Sequence, residues 1–392
     1  MTLGENLLRA RTEIGYDQED AAEALGVSRA MISYWETGKR TPNDRQVASL
    51  ARLFHVPVAQ IYASERFERR DEQASVLLRA ATDEIPAAGA AGIREFSDWL
   101  DSYAELAERA GATLHPMTQS PFMGHDLHER DARRKAEEVR AHLRLGLGPI
   151  GDIDWVCELL GISVYRSALG TNLQQTISGA FFNHPRVGFS ILVNLEMTPG
   201  RRRFTIAHEL GHALFHSDRS VVVSGPTKDR REKFADAFAG ELLMPEEGIR
   251  RVLEEMAAGP RLKDPVQVIH LQRFFKVSYA TALVRLRQAK MITRTQYDEF
   301  KYIQPVVLAA SMGYEVDDEE YEQDPTSWRT RRFPTAFINL VRQAIQSGVI
   351  SVPTAASLTG LTIDETAALL EVSRRDTPPD EFGEFEDSGV AA

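Results

Sequence analysis

Cysteine is almost absent from this sequence of 392 residues, and the one that is present is Cys157. A single cysteine excludes internal disulfides and cysteine-based zinc fingers, and it is typical of a reducing cytosol. The sequence also lacks an uninterrupted apolar run of about 18 residues, the length that a membrane-spanning helix needs. Its first residues are too polar for a signal peptide. These absences predict a cytoplasmic protein with no membrane partner.

Acidic residues outnumber basic ones, and the net charge is −11. This balance argues against a protein that coats nucleic acid non-specifically, but it is compatible with one small DNA-reading domain. The rest of the composition, 43% hydrophobic and 26% charged, is that of an ordinary globular protein. The length predicts two or three domains.

Residues 1–65 are predicted to form five short helices around a tight turn, LGVS, at residues 25–28. Asp17 is placed to cap the helix before this turn, and Ser28 is placed to cap the helix after it. Two helices joined in this way form the helix-turn-helix geometry, in which the second helix enters the major groove of DNA.

The pattern LGVSxxxISxWExGxxxP at residues 25–42 resembles the XRE family of helix-turn-helix domains. The resemblance implies base contacts from Arg29, Ala30, Ser33 and Tyr34, and phosphate contacts from Gln18, Lys39, Arg40 and Arg45. Residues 1–65 carry seven basic and nine acidic side chains, a net charge of −2. We therefore expect modest DNA binding that a homodimer on a paired site strengthens. The alternative is a helical bundle that binds only proteins.

The middle of the chain changes from helical to strand-like patterns after Gly161. A helix is expected to start near Asp126 and another to carry Cys157, whose thiol we expect to be buried and structural. Three β-branched and aromatic runs then predict a small sheet, at residues 162–166, 176–183 and 186–194. His184 is expected to be a turn residue between the last two runs. An extended peptide could add to the edge of the sheet that residues 176–194 form.

The sequence HELGH at residues 208–212 is the strongest chemical motif. On a helix, His208 and His212 project from one face about 6 Å apart along the axis, so both imidazoles can reach one metal ion. Glu209 is then placed to act as a base on a water molecule beside the metal. Because two histidines do not complete a zinc site, an amphipathic helix with fortuitous histidines is the alternative at this point.

A second helical segment, EKFADAFAGELLMP at residues 232–245, favours the metal site. Glu232 and Asp236 are also four residues apart, so that one carboxylate can serve the metal and the other can orient a ligand histidine. This ExxxD spacing is that of the glutamate-zincin peptidases. His216 lies one turn beyond His212, and we expect it to support the site rather than to bind the ion.

The two motifs, in this order and spacing, resemble the ImmA/IrrE family of metallopeptidases. The resemblance implies one Zn²⁺ held by His208, His212 and Glu232, with Glu209 as the general base. It also implies a protein substrate, a repressor of the XRE type, whose cleavage switches on stress-response or mobile-element genes. Two alternatives remain: a non-proteolytic regulator whose zinc domain senses a metabolite or metal, and a protein-binding module with a degenerate cleft.

The expected fold class is mainly α with a small β-sheet. It comprises a five-helix helix-turn-helix domain, a zincin-like α+β metallopeptidase domain and a helical C-terminal region. The expected boundaries are 1–65 for the helix-turn-helix domain, 66–120 for a helical linker, 121–260 for the metallopeptidase domain, 261–373 for the C-terminal helical domain and 374–392 for a disordered acidic tail.

Overall fold

The chain divides into two compact units. Among the described residues, one unit contains those up to 62 together with 340–367, and the other contains those from 87 to 339. The predicted tail at 374–392 lies outside the described residues, as does much of the predicted linker. The computed structural model describes residues 2–13, 16–54, 56, 58–62, 87–122, 124, 127–170, 177–217, 221–224, 229–256, 262, 264–314 and 332–367.

The first unit begins with the five predicted helices, α1 (Leu3–Glu13), α2 (Gln18–Leu25), α3 (Arg29–Glu36), α4 (Asp44–Leu53) and α5 (Val58–Tyr62). Both predicted caps are confirmed: the Asp17 carboxylate accepts the backbone N–H of Asp20, and the Ser28 hydroxyl accepts that of Met31. Gly26 ends α2 with φ +65°, a left-handed conformation that glycine adopts without a steric penalty.

A buried ion pair joins α1 to α3 inside this unit. The guanidinium of Arg11 donates from Nε to the Glu36 carboxylate over 2.6 Å and from Nη1 to the carbonyl of Tyr16. Gln18 donates its side-chain amide to the same carboxylate over 2.8 Å. Because the two charges are buried and satisfied together, removal of one would leave the other without compensation.

The second unit is built mostly of helices around one sheet. Its elements in chain order are α6 (Ala87–Arg109), α7 (Ala132–His142), α8 (Ile153–Leu159), β1 (Ser163–Ser167), β2 (Gly179–His184), β3 (Gly188–Asn194), α9 (Pro199–Phe215), β4 (Val221–Ser224), α10 (Arg230–Leu243), α11 (Glu246–Glu255), α12 (Pro265–Phe275), α13 (Tyr279–Gln288), α14 (Arg294–Phe300) and α15 (Pro305–Ser311). A 3₁₀ turn, Glu129–Asp131, precedes α7.

The described sheet has four strands in the order β1-β3-β2-β4. β1 is parallel to β3, whereas β2 is antiparallel to both β3 and β4. The three predicted strands are confirmed, and β4 was missed. Residues 176–194 contribute β2 and β3, the two inner strands, so the outer strands of the described sheet are β1 and β4.

The predicted linker contains α6, which packs on the sheet through aromatic side chains. Trp99 stacks on Tyr165 of β1 with ring centroids 4.8 Å apart, and Phe96 stacks on the same ring at 5.5 Å. Phe337 contacts Trp99 edge-on, with ring centroids 5.4 Å apart. Residues 87–109 therefore belong to the same compact unit as the metal-site motifs.

The predicted C-terminal domain at 261–373 is divided between the two units. Helices α12 and α13 contribute buried side chains to the same hydrophobic core as α9 and α10. Helix α16 (Thr335–Gln346) contains the boundary at residue 340, after which α17 (Val352–Thr359) packs against α5 of the first unit. None of the helices in the described ranges has the length and apolar character that crossing a membrane requires.

Replacement of Arg11 by Ala should destabilise the first unit by about 3–5 kcal/mol, because the Glu36 carboxylate stays buried without its partner. The control is Arg29→Ala, which removes an exposed guanidinium 4.0 Å from Glu19 and should cost less than about 1 kcal/mol. Hydrogen-exchange mass spectrometry on peptides from residues 2–54 measures both. Equal protection in the two variants would contradict the role of the buried pair.

Candidate metal centre

The HELGH motif lies in the second half of α9, where the helix is completely enclosed. Pro199 occupies the first turn, a position at which the missing N–H of proline costs no helical hydrogen bond. From Thr205 to Phe215 every residue is buried, and Glu209 and His212 are 0% exposed. His208 and His212 therefore lie in the interior of the unit, on a stretch of helix with no solvated face.

Helix α10 provides the third side chain of the centre. Asp229 caps this helix by accepting the backbone N–H groups of Arg231 and Glu232, so that Glu232 lies in its first turn. The two helices approach closely at Gly211, where a Cβ atom would lie 3.0 Å from Phe238 and 3.5 Å from the Cα atom of Ala235. The glycine inside HELGH therefore permits the helix contact that brings Glu232 to the histidines.

The candidate ligand atoms of the three side chains lie close together. The two Nε2 atoms of His208 and His212 are 3.1 Å apart. The Glu232 carboxylate oxygens lie 3.3 Å from Nε2 of His208 and 3.1 Å from Nε2 of His212. Ligands about 2.0–2.1 Å from a tetrahedral zinc ion are roughly 3.3–3.4 Å from one another. The described residues that meet the requirements of a metal site are these three.

The outer nitrogen of each histidine is held by a further side chain. Nδ1 of His208 lies 2.9 Å from a carboxylate oxygen of Asp236, and Nδ1 of His212 lies 2.9 Å from Nδ1 of His216. Such partners fix the orientation of an imidazole and leave its Nε2 directed at the metal. The structure therefore places Asp236 and His216 where the sequence analysis expected them, beside the ligands.

Without a metal, the histidine and the glutamate act as an ion pair. Burial by itself lowers the pKa of His208, but hydrogen bonds with Asp236 and Glu232 outweigh it and raise that pKa to about 10. Burial raises the pKa of Glu232, and the hydrogen bonds from His208 and His212 overcome this effect and lower it to about 2. A proton on His208 thus occupies the place that a metal ion would take.

Glu209 lies against the first residue of β2. A Cβ atom at Gly179 would come within 3.0 Å of Oε1 of Glu209 and within 2.6 Å of Cγ2 of Thr205. No side chain larger than hydrogen fits there without a shift, so Gly179 fixes the space that the Glu209 carboxylate occupies. Gly179 was not predicted as a site residue, although a glycine among aromatic strand residues indicates that another group approaches closely.

Cys157 and His184 have structural roles, as expected. The Cys157 thiol is buried in the core, and burial raises its pKa well above the usual range. Nδ1 of His184 accepts the backbone N–H groups of Arg186 and Val187, so that this imidazole closes the turn between β2 and β3.

The predicted DNA-binding residues lie in the first unit, on and around α3. Arg29, Ala30 and Tyr34 are exposed, whereas Ser33 is half-buried. Lys39 and Arg40 are exposed after the end of α3, with the Lys39 ammonium 5.8 Å from the centre of the Tyr34 ring. Gln18 is committed to Glu36, as described above, and so its amide points into the unit.

Two family models match the chain, one in each unit. Residues 7–61 match a helix-turn-helix family, and residues 157–287 match the IrrE N-terminal-like domain of peptidase family M78. The second match begins later than the expected metallopeptidase domain and ends later. It includes α12 and α13, which fits their share of the same core.

Three curated proteins are similar to parts of the chain. The HTH-type transcriptional activator BcrR of Enterococcus faecalis is 37% identical over 65 residues, 17% of this chain and 32% of that protein. The radiation response metalloprotease IrrE of Deinococcus radiodurans is 35% identical over 92 residues, 24% of this chain and 25% of that protein. The HTH-type transcriptional regulator ImmR of Bacillus subtilis is 29% identical over 72 residues, 18% of this chain and 57% of that protein.

Each of these relatives is matched over less than two thirds of its own length. The two family models nevertheless cover the two motifs that the geometry singles out, the helix-turn-helix and the HELGH helix with its partner. The chain therefore joins an XRE-type helix-turn-helix domain to a metallopeptidase domain of the ImmA/IrrE family.

Proposed function

We propose that this protein is a zinc-dependent endopeptidase that its helix-turn-helix domain directs to DNA, where it cleaves a regulatory protein of the XRE repressor type. The observation that carries the proposal is the close grouping of His208, His212 and Glu232, with Glu209 on the same helix as the two histidines. Two imidazoles and one carboxylate bind Zn²⁺ well, and three protein ligands leave a fourth position for catalysis. The metallopeptidase family match and the similarity to IrrE support it.

Zinc, when bound, supplies a Lewis acid that polarises a peptide carbonyl and lowers the pKa of water. The side chains around the zinc site move the proton of the water and hold the ligand imidazoles in place. Glu209 accepts the proton of the attacking water and passes it to the leaving amine. Asp236 and His216 keep the two ligand imidazoles oriented. Gly179 and Thr205 confine the Glu209 carboxylate.

An extended substrate would add along the outer edge of β4. β4 is an outer strand of the described sheet, and its last residue pairs with Gly179, the residue that contacts Glu209. A peptide that adds to β4 as a further strand would use backbone hydrogen bonds, which accept many side chains. Its scissile bond would then lie on the side of the sheet that faces α9.

A DNA-binding domain on the same chain gives the protease a way to find a scarce substrate. Binding to the same promoter raises the local concentration of the protease around a DNA-bound repressor. Cleavage would then switch on genes for a stress response or for a mobile element. The similarity to ImmR and BcrR, both regulators with this type of domain, supports the DNA-binding half of the proposal.

The direct test is incubation of the zinc-loaded protein with the regulators encoded beside its own gene, followed by mass spectrometry of the products. We expect one regulator to be cut at a defined bond and the Glu209→Gln protein to leave it intact. Full zinc occupancy without cleavage of any candidate, under conditions that induce the operon, would favour the metal or metabolite sensor instead.

Two substitutions should separate metal binding from catalysis. Glu232→Ala removes a ligand and should weaken zinc binding by more than about 100-fold, because loss of a supporting partner alone costs about 10–100-fold. Glu209→Gln should keep the zinc and lower kcat by about 10²–10⁴-fold, the usual contribution of a general base. Elemental analysis and peptide cleavage measure the two effects. Full zinc content in the Glu232→Ala protein would reject Glu232 as the third ligand.

Zinc binding should release about one proton at pH 7, because His208 with a pKa of about 10 is protonated in the metal-free protein. Glu232, with a pKa of about 2, is already ionised at pH 7 and should release none. The raised pKa of His208 stabilises the metal-free fold fully below pH of about 6.5, and this contribution disappears as the pH rises towards 10. The apparent zinc affinity should therefore increase with pH.

Isothermal titration calorimetry in buffers of different ionisation enthalpy counts the released protons. Asp236→Asn is the matched control, because it keeps the shape of the partner of His208 but removes its charge. This variant should release fewer protons than the unaltered protein at pH 7. Zinc binding without proton release in the unaltered protein would show that His208 is neutral before the metal binds.

The first unit should bind operon DNA with sequence discrimination that depends on Arg29. Arg29→Ala should lose about 1–3 kcal/mol of discrimination if the guanidinium reads a guanine edge. Lys39→Ala and Arg40→Ala should instead reduce the salt dependence of binding, because phosphate contacts position the protein without specifying sequence. Fluorescence titration at two salt concentrations measures both, with a chain that lacks residues 1–65 as the control. Equal behaviour of the two chains would reject the DNA-targeting role.

A further inference from the structure

We propose that the second unit contains a separate binding site for a small polyanion, in a groove beside α10. The groove encloses about 750 Å³, and it lies between the 3₁₀ turn with α7, one face of α10 and the end of α13. It is not part of the metal centre, because its α10 residues are Arg230, Lys233, Ala237 and Glu241, whereas Glu232 and Asp236 face α9.

Positive charge dominates the lining of this groove. The lining contains two acidic side chains, those of Glu129 and Glu241, and five basic ones. The excess of three positive charges, before any contribution from His128, is unusual for a chain whose net charge is −11. The five basic residues are Arg130, Arg133, Arg230, Lys233 and Arg285.

One side of the groove is formed by a guanidinium group that the protein holds in place, not by a flexible surface side chain. Arg285 is 3% exposed, and its guanidinium is held by the Glu241 carboxylate at 2.8 Å and by the carbonyl of Met244 at 3.1 Å. Arg133, on the α7 side of the groove, is also held in place, because its guanidinium lies 2.9 Å from the carboxylates of both Glu137 and Glu246. Because these two guanidinium groups already bond to protein carboxylates and to a carbonyl, they fix the shape of the groove, and contact with a ligand falls to the exposed basic side chains at its rim.

Two further positive charges lie at the rim of the groove, where they can contact a ligand. Arg130 and Lys233 are exposed and approach the groove from two different elements, the 3₁₀ turn and α10. A ligand that bridges them needs at least two negatively charged groups. Since small-molecule sites enclose about 300–1,000 Å³, the volume fits a compact metabolite that carries phosphate or carboxylate groups. This inference does not depend on the peptidase activity, since it requires neither zinc nor Glu209.

The test is calorimetric titration of the full chain with two probes, inorganic tripolyphosphate and citrate, at about 150 mM salt to screen non-specific attraction. The double variant Arg130→Ala/Lys233→Ala should raise the Kd by at least about tenfold, because it removes two charge-assisted hydrogen bonds to the ligand. Circular dichroism checks that the variant is folded, which we expect because both side chains are exposed.

A matched control removes two positive charges elsewhere on the same unit. Arg109→Ala/Arg294→Ala deletes exposed side chains that lie 3.7 Å and 3.9 Å from surface carboxylates, and it should leave the Kd within about twofold. Binding of tripolyphosphate alone would identify a phosphate site, and binding of both probes would identify a general polyanion site. The proposal is overturned if neither probe saturates the protein, or if the two double variants weaken binding equally.

Discussion

The close approach of α9 and α10 is the contact on which the candidate site depends. His208 and His212 come from one helix and Glu232 from the other, so a shift between the helices would separate the ligand atoms that now lie 3.1–3.3 Å apart. Gly211 permits this approach, and Phe234 and Phe238 fill the space around it in the core. The residues between the histidines are therefore as necessary to the geometry as the ligands themselves.

Burial of this site demands that its polar groups be satisfied. Two imidazoles and a carboxylate within hydrogen-bond distance of each other are costly in an apolar interior unless a proton or a metal joins them. The metal-free protein meets this demand with a proton on His208, whose pKa rises to about 10. A proton on His208 therefore offsets part of the cost of burying these groups when no metal is bound.

Local features were predictable from the sequence, and long-range ones were not. The spacing of four residues in His208 and His212, the caps at Asp17 and Ser28, and three of the four strands follow from short patterns. β4 is only four residues long, and α9 separates it in sequence from β2, the strand with which it pairs. A local hydrophobic pattern therefore does not predict it. The packing of α6 on Tyr165, and the assignment of residues 340–367 to the first unit, also depend on contacts distant in sequence. A glycine inside a predicted strand indicates a close approach of some group to Gly179. The sequence does not indicate that this group is the Glu209 carboxylate.

The net charge of a small domain is a poor guide to the face that meets DNA. The sequence assigns −2 to residues 1–65, and this sum includes Glu36, the acidic residue of α3. In the folded unit the Glu36 carboxylate is buried against Arg11 and Gln18, so this pair adds no net charge outside and α3 is left without an exposed acidic side chain. What α3 presents to solvent is Arg29, with Lys39 and Arg40 following it. An electrostatic attraction to phosphate falls off within about 8 Å at physiological salt. In the proposed DNA complex, the charges nearest the phosphates would be those of Arg29, Lys39 and Arg40, so the net charge of the whole domain is a weaker guide to binding.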